Sequence, residues 1–174
     1  TRSWSRIYRG IGGDWEPVME QIERRHCDLS RDLGLPISSE LEHHFADLRK
    51  MASGIHLIGE VSDRLRARVM STGELMATRI GAAYLAAEGL DAQWLDARTI
   101  LHAEERPGAT ARANYLSATC NFEPDPALQQ RLAAGGSVQL TQGFIASDGR
   151  GETVLLGRGG SDTSGSYIAA KLHA

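Results

Sequence analysis

The chain has 174 residues, of which 41% are hydrophobic, 24% charged and 6% aromatic. A chain of this size and composition can bury a core, which excludes the polar, core-poor class of disordered proteins. Its net charge of -3 creates no positive field for nucleic acid or an anionic membrane, and no apolar run is long enough to cross a bilayer. We therefore expect a cytoplasmic protein that binds small polar ligands.

The first half of the sequence has the periodicity of amphipathic helices. Asp14 is a candidate N-cap for a first helix, which Gly34 and Pro36 end. Ser39, followed three residues later by Glu42, has the spacing of a capping box and predicts the start of a second helix.

Two further helices are predicted before the pattern changes. Ser62 is the candidate cap of the third helix. A glycine inside a helical pattern weakens it, so Gly73 is expected to separate this helix from a fourth, which Gly89 ends. Glu74 would then lie in the first turn of the fourth helix.

Strands and helices alternate in the second half. Strands are predicted at 92–97, 137–147 and 152–157, a short helix at 125–135 and a final helix at 163–174, whereas 104–122 is polar and irregular. This alternation predicts an α/β layered fold with a largely parallel sheet behind a helical first half.

Cysteine and histidine carry no metal or disulfide signature. Cys27 and Cys120 stand alone in the sequence, which is typical of reduced cytosolic thiols. The six histidines show neither HExxH nor paired Cys/His spacing. No metal site is predicted.

The segment LLGRGGSDTSGS, residues 155–166, leads from a predicted strand into a helix start through three glycines. Such turns allow close backbone approach, and the first helical amides attract carboxylate or phosphate. Arg158 adds a planar fork suited to a carboxylate. The alternative is a plain glycine-rich turn in which Ser161 or Asp162 is the N-cap.

Two other segments are candidates for ligand contacts. In STGELMAT, residues 71–78, Glu74 follows a glycine, although a glutamate in a first turn is also stabilised by the helix dipole alone. In TQGF, residues 141–144, Phe144 ends a β-prone run, where ligands bind in α/β sheets, although an aromatic there is commonly core.

These segments together resemble one family. STGELMAT, AEGLDAQWLDAR, LTQGFIAS and LLGRGGSDTSGSYIAAKL occur in the order and approximate spacing of aspartate kinases, over about the second two-thirds of the chain. The resemblance implies the three-layer αβα amino-acid kinase fold. It also implies transfer of the γ-phosphoryl group of MgATP to aspartate, giving 4-phosphoaspartate for lysine, threonine and methionine synthesis.

The resemblance assigns substrate contacts residue by residue. Glu74 is similar to the glutamate that receives the substrate ammonium, and Arg158 to the arginine that pairs with a substrate carboxylate. Ser161 and Phe144 match residues lining the same pocket. Thr1 lies at about the right distance before Glu74 to match the substrate-contacting threonine of the family's first glycine-rich loop.

The same likeness assigns the catalytic and nucleotide contacts. Asp162 matches the aspartate that organises the catalytic lysine and the phosphoryl groups, and Gly159 and Gly160 are the expected nucleotide contacts. The family's KFGGTS element is absent, and of 19 basic residues only Lys50 and Lys171 are lysines. A TDVPGI-like nucleotide segment and the regulatory ACT domains are also absent from the sequence.

Residues 1–174 are therefore expected to be an internal part of an aspartate kinase catalytic domain, inactive alone and without tightly bound ATP or Mg²⁺. Its expected partners are L-aspartate, the rest of its own polypeptide and, through unpaired sheet edges, another copy of the chain. Two alternatives remain open: a non-catalytic module for amino-acid binding or assembly, and a family member that phosphorylates another acid.

Overall fold

Long helices form in the first half because apolar residues recur there at helical spacing. The computed structural model describes residues 15–135 and 137–174. In chain order its elements are α1 (Glu16–Asp32), α2 (Ser39–Ile58), α3 (Asp63–Ala87), β1 (Ala92–Leu95), a 3-10 turn (Ala97–Thr99), α4 (Ala111–Leu116), α5 (Pro126–Ala133), β2 (Val138–Thr141), β3 (Ile145–Ser147), β4 (Thr153–Leu155) and α6 (Gly160–Leu172). The helical first half and the later alternation are confirmed.

Serine side chains cap the second and third helices. The Ser38 Oγ accepts a hydrogen bond from the Leu41 amide at 3.2 Å, so the predicted cap Ser39 is wrong by one residue. The predicted cap Ser62 is confirmed, because its Oγ accepts from the Leu65 amide at 3.2 Å. The predicted cap Asp14 lies outside the described residues.

Helix α3 runs unbroken through Gly73, so the predicted division at this glycine is wrong. A glycine inside a helix costs only about 1 kcal/mol, which packing readily offsets. Leu75 and Met76, which follow Glu74 in the same helix, are buried and supply that packing. Glu74 consequently lies in the middle of a 25-residue helix rather than in a first turn.

The three long helices share one apolar core. Its fully buried side chains include Met19, Leu48, Ile55, Val69 and Met76. Burying a large aliphatic side chain contributes roughly 1.5–3 kcal/mol, so this cluster holds the helical half together. No helix in the described part has the length and hydropathy that crossing a bilayer requires.

The strands form two small pairs rather than one continuous sheet. Strands β1 and β2 are parallel, with Trp94 opposite Leu140, whereas β3 and β4 are antiparallel, with Ile145 opposite Leu155. The single strand predicted over 137–147 is therefore wrong in one respect. Its two ends belong to different pairs, and the chain changes direction between them at 142–144.

The last helix begins earlier than predicted. Helix α6 starts at Gly160 rather than Thr163, so Ser161 and Asp162 belong to its first turn. The unassigned stretch 104–122 contains the short helix α4, whose cap Thr110 accepts from the Ala113 amide at 3.2 Å. The strand predicted at 92–97 and the helix predicted after Asp125 are confirmed.

Candidate substrate site

The TQGF segment and the glycine-rich turn lie against each other. A Cβ added to Gly143 would be 2.9 Å from the Cα and Cβ atoms of Ser161, closer than real Cβ contacts allow. A Cβ added to Gly160 would be 2.8 Å from the ring of Phe144. The absence of a side chain at Gly143 and Gly160 therefore permits a close approach, which brings Phe144, Gly160 and Ser161 together.

The backbone of Phe144 is held in an unusual conformation. Its φ is +73°, in the left-handed region that bulky residues rarely adopt, at a typical cost of about 1–3 kcal/mol. The Phe144 amide donates to the Ser164 Oγ at 2.8 Å, and its carbonyl accepts from the Leu156 amide at 2.9 Å. The Ser164 hydroxyl in turn donates to the Gly160 carbonyl at 2.7 Å. These bonds fix the strained residue against the start of α6.

Arg158 lies in a tight turn between two left-handed glycines. The Gly160 amide donates to the Gly157 carbonyl at 3.1 Å, and Gly157 and Gly159 have φ of 78° and 72°. The Arg158 side chain is exposed and makes no hydrogen bond or ion pair within residues 15–135 and 137–174. Its guanidinium is therefore available to a ligand.

No side chain caps the first turn of α6. The N-cap position is Gly159, and neither Ser161 nor Asp162 accepts a capping hydrogen bond. The plain N-cap alternative for these two residues is therefore wrong. Both are exposed. A helix start without a side-chain acceptor leaves its positive dipole end for an anion.

Glu74 is half-buried, and its carboxylate forms no hydrogen bond or ion pair with the described residues. Its helix is joined to the TQGF segment by a hydrogen bond from the Gln142 amide nitrogen to the Thr78 Oγ1 at 2.8 Å. No direct contact links Glu74 to Arg158 among the described residues. Their convergence on one substrate stays a prediction.

A cavity of about 510 Å³ lies elsewhere, beside the β3–β4 turn. Its lining includes Glu104, Arg106, Tyr115, Asp148 and Arg150, and none of the predicted site residues. The two arginines already have partners: Arg106 donates to the Ala113 carbonyl at 2.6 Å, and Arg150 donates to the Tyr115 hydroxyl at 3.1 Å. This cavity therefore does not mark the predicted substrate site.

An ion pair fixes the carboxyl end of β1 next to the site. Burial opposes ionisation of Asp96, but hydrogen bonds from the Arg98 side chain and amide prevail and lower the pKa of the carboxyl. The Arg98 guanidinium reaches Asp96 at 2.6 Å and Thr153 of β4 at 3.1 Å. The pair thus ties the end of β1 to the antiparallel strands.

Three polar residues near the site were missed by sequence reasoning: Thr78, Gln142 and Ser164. Gln142 and Ser164 are nearly or fully buried, with exposed fractions of 0% and 2%. A glutamine among β-prone residues and a second serine after a glycine-rich turn were the available signals. Their partners lie far along the chain, so periodicity could not reveal them.

Several predicted features lie outside the site or outside the described residues. Thr1, the predicted substrate contact, is not among the described residues. Lys50 pairs with Asp47 at 3.3 Å on the exposed face of α2. Lys171 is buried and donates to Asn121 at 3.2 Å, so neither lysine accompanies the glycine-rich turn. Among the described residues, no three His, Cys, Asp or Glu side chains form a group that could hold a metal ion.

Comparison with protein families decides the classification. The model of the amino acid kinase family matches residues 16–174. The chain belongs to the amino acid kinase family. Among curated relatives of this family member, the bifunctional aspartokinase/homoserine dehydrogenase 2 of Escherichia coli K12 is 36% identical over 159 residues, covering 88% of the chain and 18% of the relative. The aspartokinase of Chlamydia pneumoniae is 33% identical over 156 residues, covering 88% and 32%.

Solved structures agree with the family. The structure of Escherichia coli aspartokinase III in complex with aspartate and ADP superposes with a TM-score of 0.79 at 26% identity, over 99% of this chain and 38% of that one. The likeness confirms the predicted amino-acid kinase-like α/β fold. This family member spans about a third or less of the length of the first two curated relatives.

Proposed function

We propose that the chain forms the aspartate-binding part of an aspartate kinase, which transfers the γ-phosphoryl group of ATP to the side-chain carboxylate of L-aspartate. The contact between TQGF and the glycine-rich turn carries this proposal. It assembles Phe144, Arg158 and Ser161 around one helix start, next to the helix that bears Glu74. The relatives named aspartokinases and the solved complex with aspartate and ADP support the choice of substrates.

The charges suit a zwitterionic substrate. An amino acid needs an anion for its ammonium and a cation for its carboxylate, and each charge is costly to bury unpaired. Glu74 and Arg158 have no partners within the described residues, so each can pair with substrate. The planar guanidinium of Arg158 can hold a carboxylate through two parallel hydrogen bonds.

The start of α6 suits negative charge on the reacting groups. Phosphoryl transfer depends on positioning and on positive potential around the transferring oxygens. The uncapped first-turn amides supply such potential, and the exposed Gly159 permits close approach. Asp162, exposed in the same turn, is the proposed organiser of the reacting groups, with MgATP entering as co-substrate.

The activity is tested by aspartate-dependent ADP formation in the complete protein encoded by the gene that contains this sequence. Arg158→Lys keeps the charge but loses the fork, so it should raise the KM for aspartate about tenfold or more with little change in the KM for ATP. Arg112→Lys, at an exposed position of α4, is the matched control. Unchanged aspartate dependence in Arg158→Lys would remove Arg158 from the substrate site.

The other anchor is tested in the same assay. Glu74→Gln removes the carboxylate charge at constant size and should also raise the KM for aspartate, whereas Glu88→Gln, at the exposed end of the same helix, should not. Turnover with another acid but not with aspartate would replace aspartate as the substrate.

The proposal extends to the isolated chain. The chain covers 38% of aspartokinase III, and its two lysines lie away from the glycine-rich turn. Residues 1–174 alone should therefore show no aspartate-dependent ATP turnover. Robust turnover by these residues would contradict the assignment of nucleotide binding to other segments.

A further inference from the structure

Gln142 is the residue immediately before the Gly143–Phe144 segment, and its side chain is fully buried with an exposed fraction of 0%. Both ends of its amide are used. The Oε1 accepts from the Ala97 amide at 2.9 Å, and the Nε2 donates to the Thr78 Oγ1 at 2.8 Å. These bonds span 45 and 64 residues of sequence, so one side chain joins the end of β1, helix α3 and the end of β2.

The Thr78 hydroxyl is saturated by this arrangement. A threonine hydroxyl offers one proton and two acceptor sites. Thr78 accepts from the Gln142 Nε2 and from the Trp94 Nε1 at 3.0 Å, and it donates to the Glu74 carbonyl at 2.8 Å. The turn of α3 that carries Glu74 is therefore hydrogen-bonded, through one hydroxyl, to the strand end that carries Phe144.

Trp94, whose indole N–H donates to the Thr78 hydroxyl, is itself held from two sides. Arg79 lies over the Trp94 ring with its guanidinium carbon 3.5 Å from the ring centroid, and Trp94 is paired with Leu140 across the parallel strands. A Cβ added to Gly81 would be 3.3 Å from the Leu140 side chain, which shows how closely α3 approaches β2. The helix and the strands thus have little freedom to move apart.

On its other side, Gln142 leads directly into the strained part of the site. Gly143 contacts Ser161, and Phe144 is held at φ +73° by Ser164. The buried amide is therefore the link between the helix proposed to receive the substrate ammonium and the turn proposed to receive its carboxylate.

We infer that Gln142, acting through Thr78, is a positioning residue that sets the separation between Glu74 and the Phe144–Arg158 side of the aspartate site. This role rests on the proposed function. A buried apolar side chain of similar size would fill the same volume, so packing alone does not require an amide. The two directed hydrogen bonds explain the amide, because its oxygen accepts from Ala97 while its nitrogen donates to Thr78, which an apolar side chain cannot do.

The test compares variants of the complete protein in aspartate and ATP titrations. Gln142→Met keeps the approximate volume and loses both bonds, and Gln130→Met at an exposed position of α5 is the matched control. Since small misplacements of substrate groups cost up to about a hundredfold in rate, Gln142→Met should raise the KM for aspartate by about tenfold or more, with the KM for ATP changed less than about twofold. Gln130→Met should change neither.

The hydroxyl provides a second, independent arm that remains informative should Gln142→Met fail to fold. Thr78→Ser keeps the hydroxyl and should preserve the KM for aspartate, whereas Thr78→Val keeps the shape and should raise it. The double variant Gln142→Met/Thr78→Val should raise the KM little more than the larger single change, because both remove the same bond.

Failure of the positioning role and failure of the proposed function would give different results. If Gln142→Met and Thr78→Val lower the urea midpoint but leave the KM for aspartate within about twofold, both residues are merely structural and the positioning role is overturned. If Arg158→Lys raises that KM in the same assay, the proposed function survives that failure. Absence of aspartate-dependent turnover in the unmodified protein would overturn the proposed function and the positioning role together.

Discussion

The helical region, residues 15–87, and the strand region, residues 92–174, both bury apolar clusters but differ in the hydrogen bonds of their buried polar groups. The helical region is built around one apolar cluster. Its buried Ser71 and Thr72 donate to the Arg68 carbonyl within the same helix. In the strand region, buried polar groups bond over long sequence separations, as in Gln142 to Ala97 and Ser147 to the Arg98 carbonyl at 2.7 Å.

Because of this difference, the helical region acts mainly as a scaffold, whereas the strand region fixes the geometry of the candidate site. Apolar packing is non-directional, so it stabilises α1–α3 without specifying atomic positions closely. Long-range hydrogen bonds are directional and costly to leave unmade, so they fix geometry. The candidate substrate residues Phe144, Arg158 and Ser161 lie in the strand region, where the second kind of contact is concentrated. Glu74 lies on α3 in the helical region, and its turn is joined to the strand region through Thr78 and Gln142.

The largest expected effect is in the scaffold. Leu48, 1% exposed in the centre of α2, fills the helical core, so Leu48→Ala should lower the free energy of unfolding by about 2–5 kcal/mol. Leu57→Ala in the same helix, where the side chain is 85% exposed, should change it by less than about 0.5 kcal/mol. Urea denaturation measures both, and equal losses would show that α2 does not bury the face described.

A smaller loss of stability is expected where Gly143 lies against Ser161 at the start of α6. In Gly143→Ala the new methyl would lie within 3.0 Å of Ser161, so the contact must open at a cost of about 1–3 kcal/mol. The matched variant Gly165→Ala has nothing within 4 Å and should be neutral or stabilising. Gly143→Ala should also raise the KM for aspartate. A stable variant with normal aspartate dependence would contradict the close approach.

The bond that holds Phe144 should contribute somewhat less. Ser164→Ala leaves the Phe144 amide without its acceptor and should cost about 1–2 kcal/mol of unfolding free energy. Ser166→Ala, on the exposed side of α6, is the control and should change stability by a few tenths of a kcal/mol at most. Equal small effects in the two variants would show that Phe144 holds its left-handed conformation without Ser164.

The smallest effect concerns the boundary between the two regions. Burial, together with the charges of Arg79 and Arg98, lowers the pKa of His44 from 6.5, against the opposing effect of Asp47 and Asp96. The unfolded chain therefore takes up this proton first as pH falls, and stability present above about pH 6.5 should decrease below it.

Urea midpoints at pH 7.5 and 5.5 test this dependence. His44→Gln should reduce the difference between the two pH values, whereas His56→Gln at an exposed position of the same helix should retain it. A midpoint that rises on acidification and depends on His44 would show that the carboxylates outweigh burial and the two arginines.

Prediction from the sequence was most successful where the determinants are local. The cap Ser62 and the helical first half follow from short-range spacing, and both are confirmed. The errors at Gly73 and at 137–147 have the opposite cause. Packing around Leu75 and Met76 overrides the weak helix propensity of one glycine, and pairing with two different partners divides a run that is uniformly β-prone.

The sequence alone determined the family, the layered α/β class and the motifs proposed for the site, because residue types and spacings carry that information directly. Only the tertiary structure revealed that Gly143 contacts Ser161, that Phe144 is left-handed and that Gln142 joins three segments. Each of these depends on partners at least 18 residues apart in sequence, and such contacts form only when packing brings distant segments together.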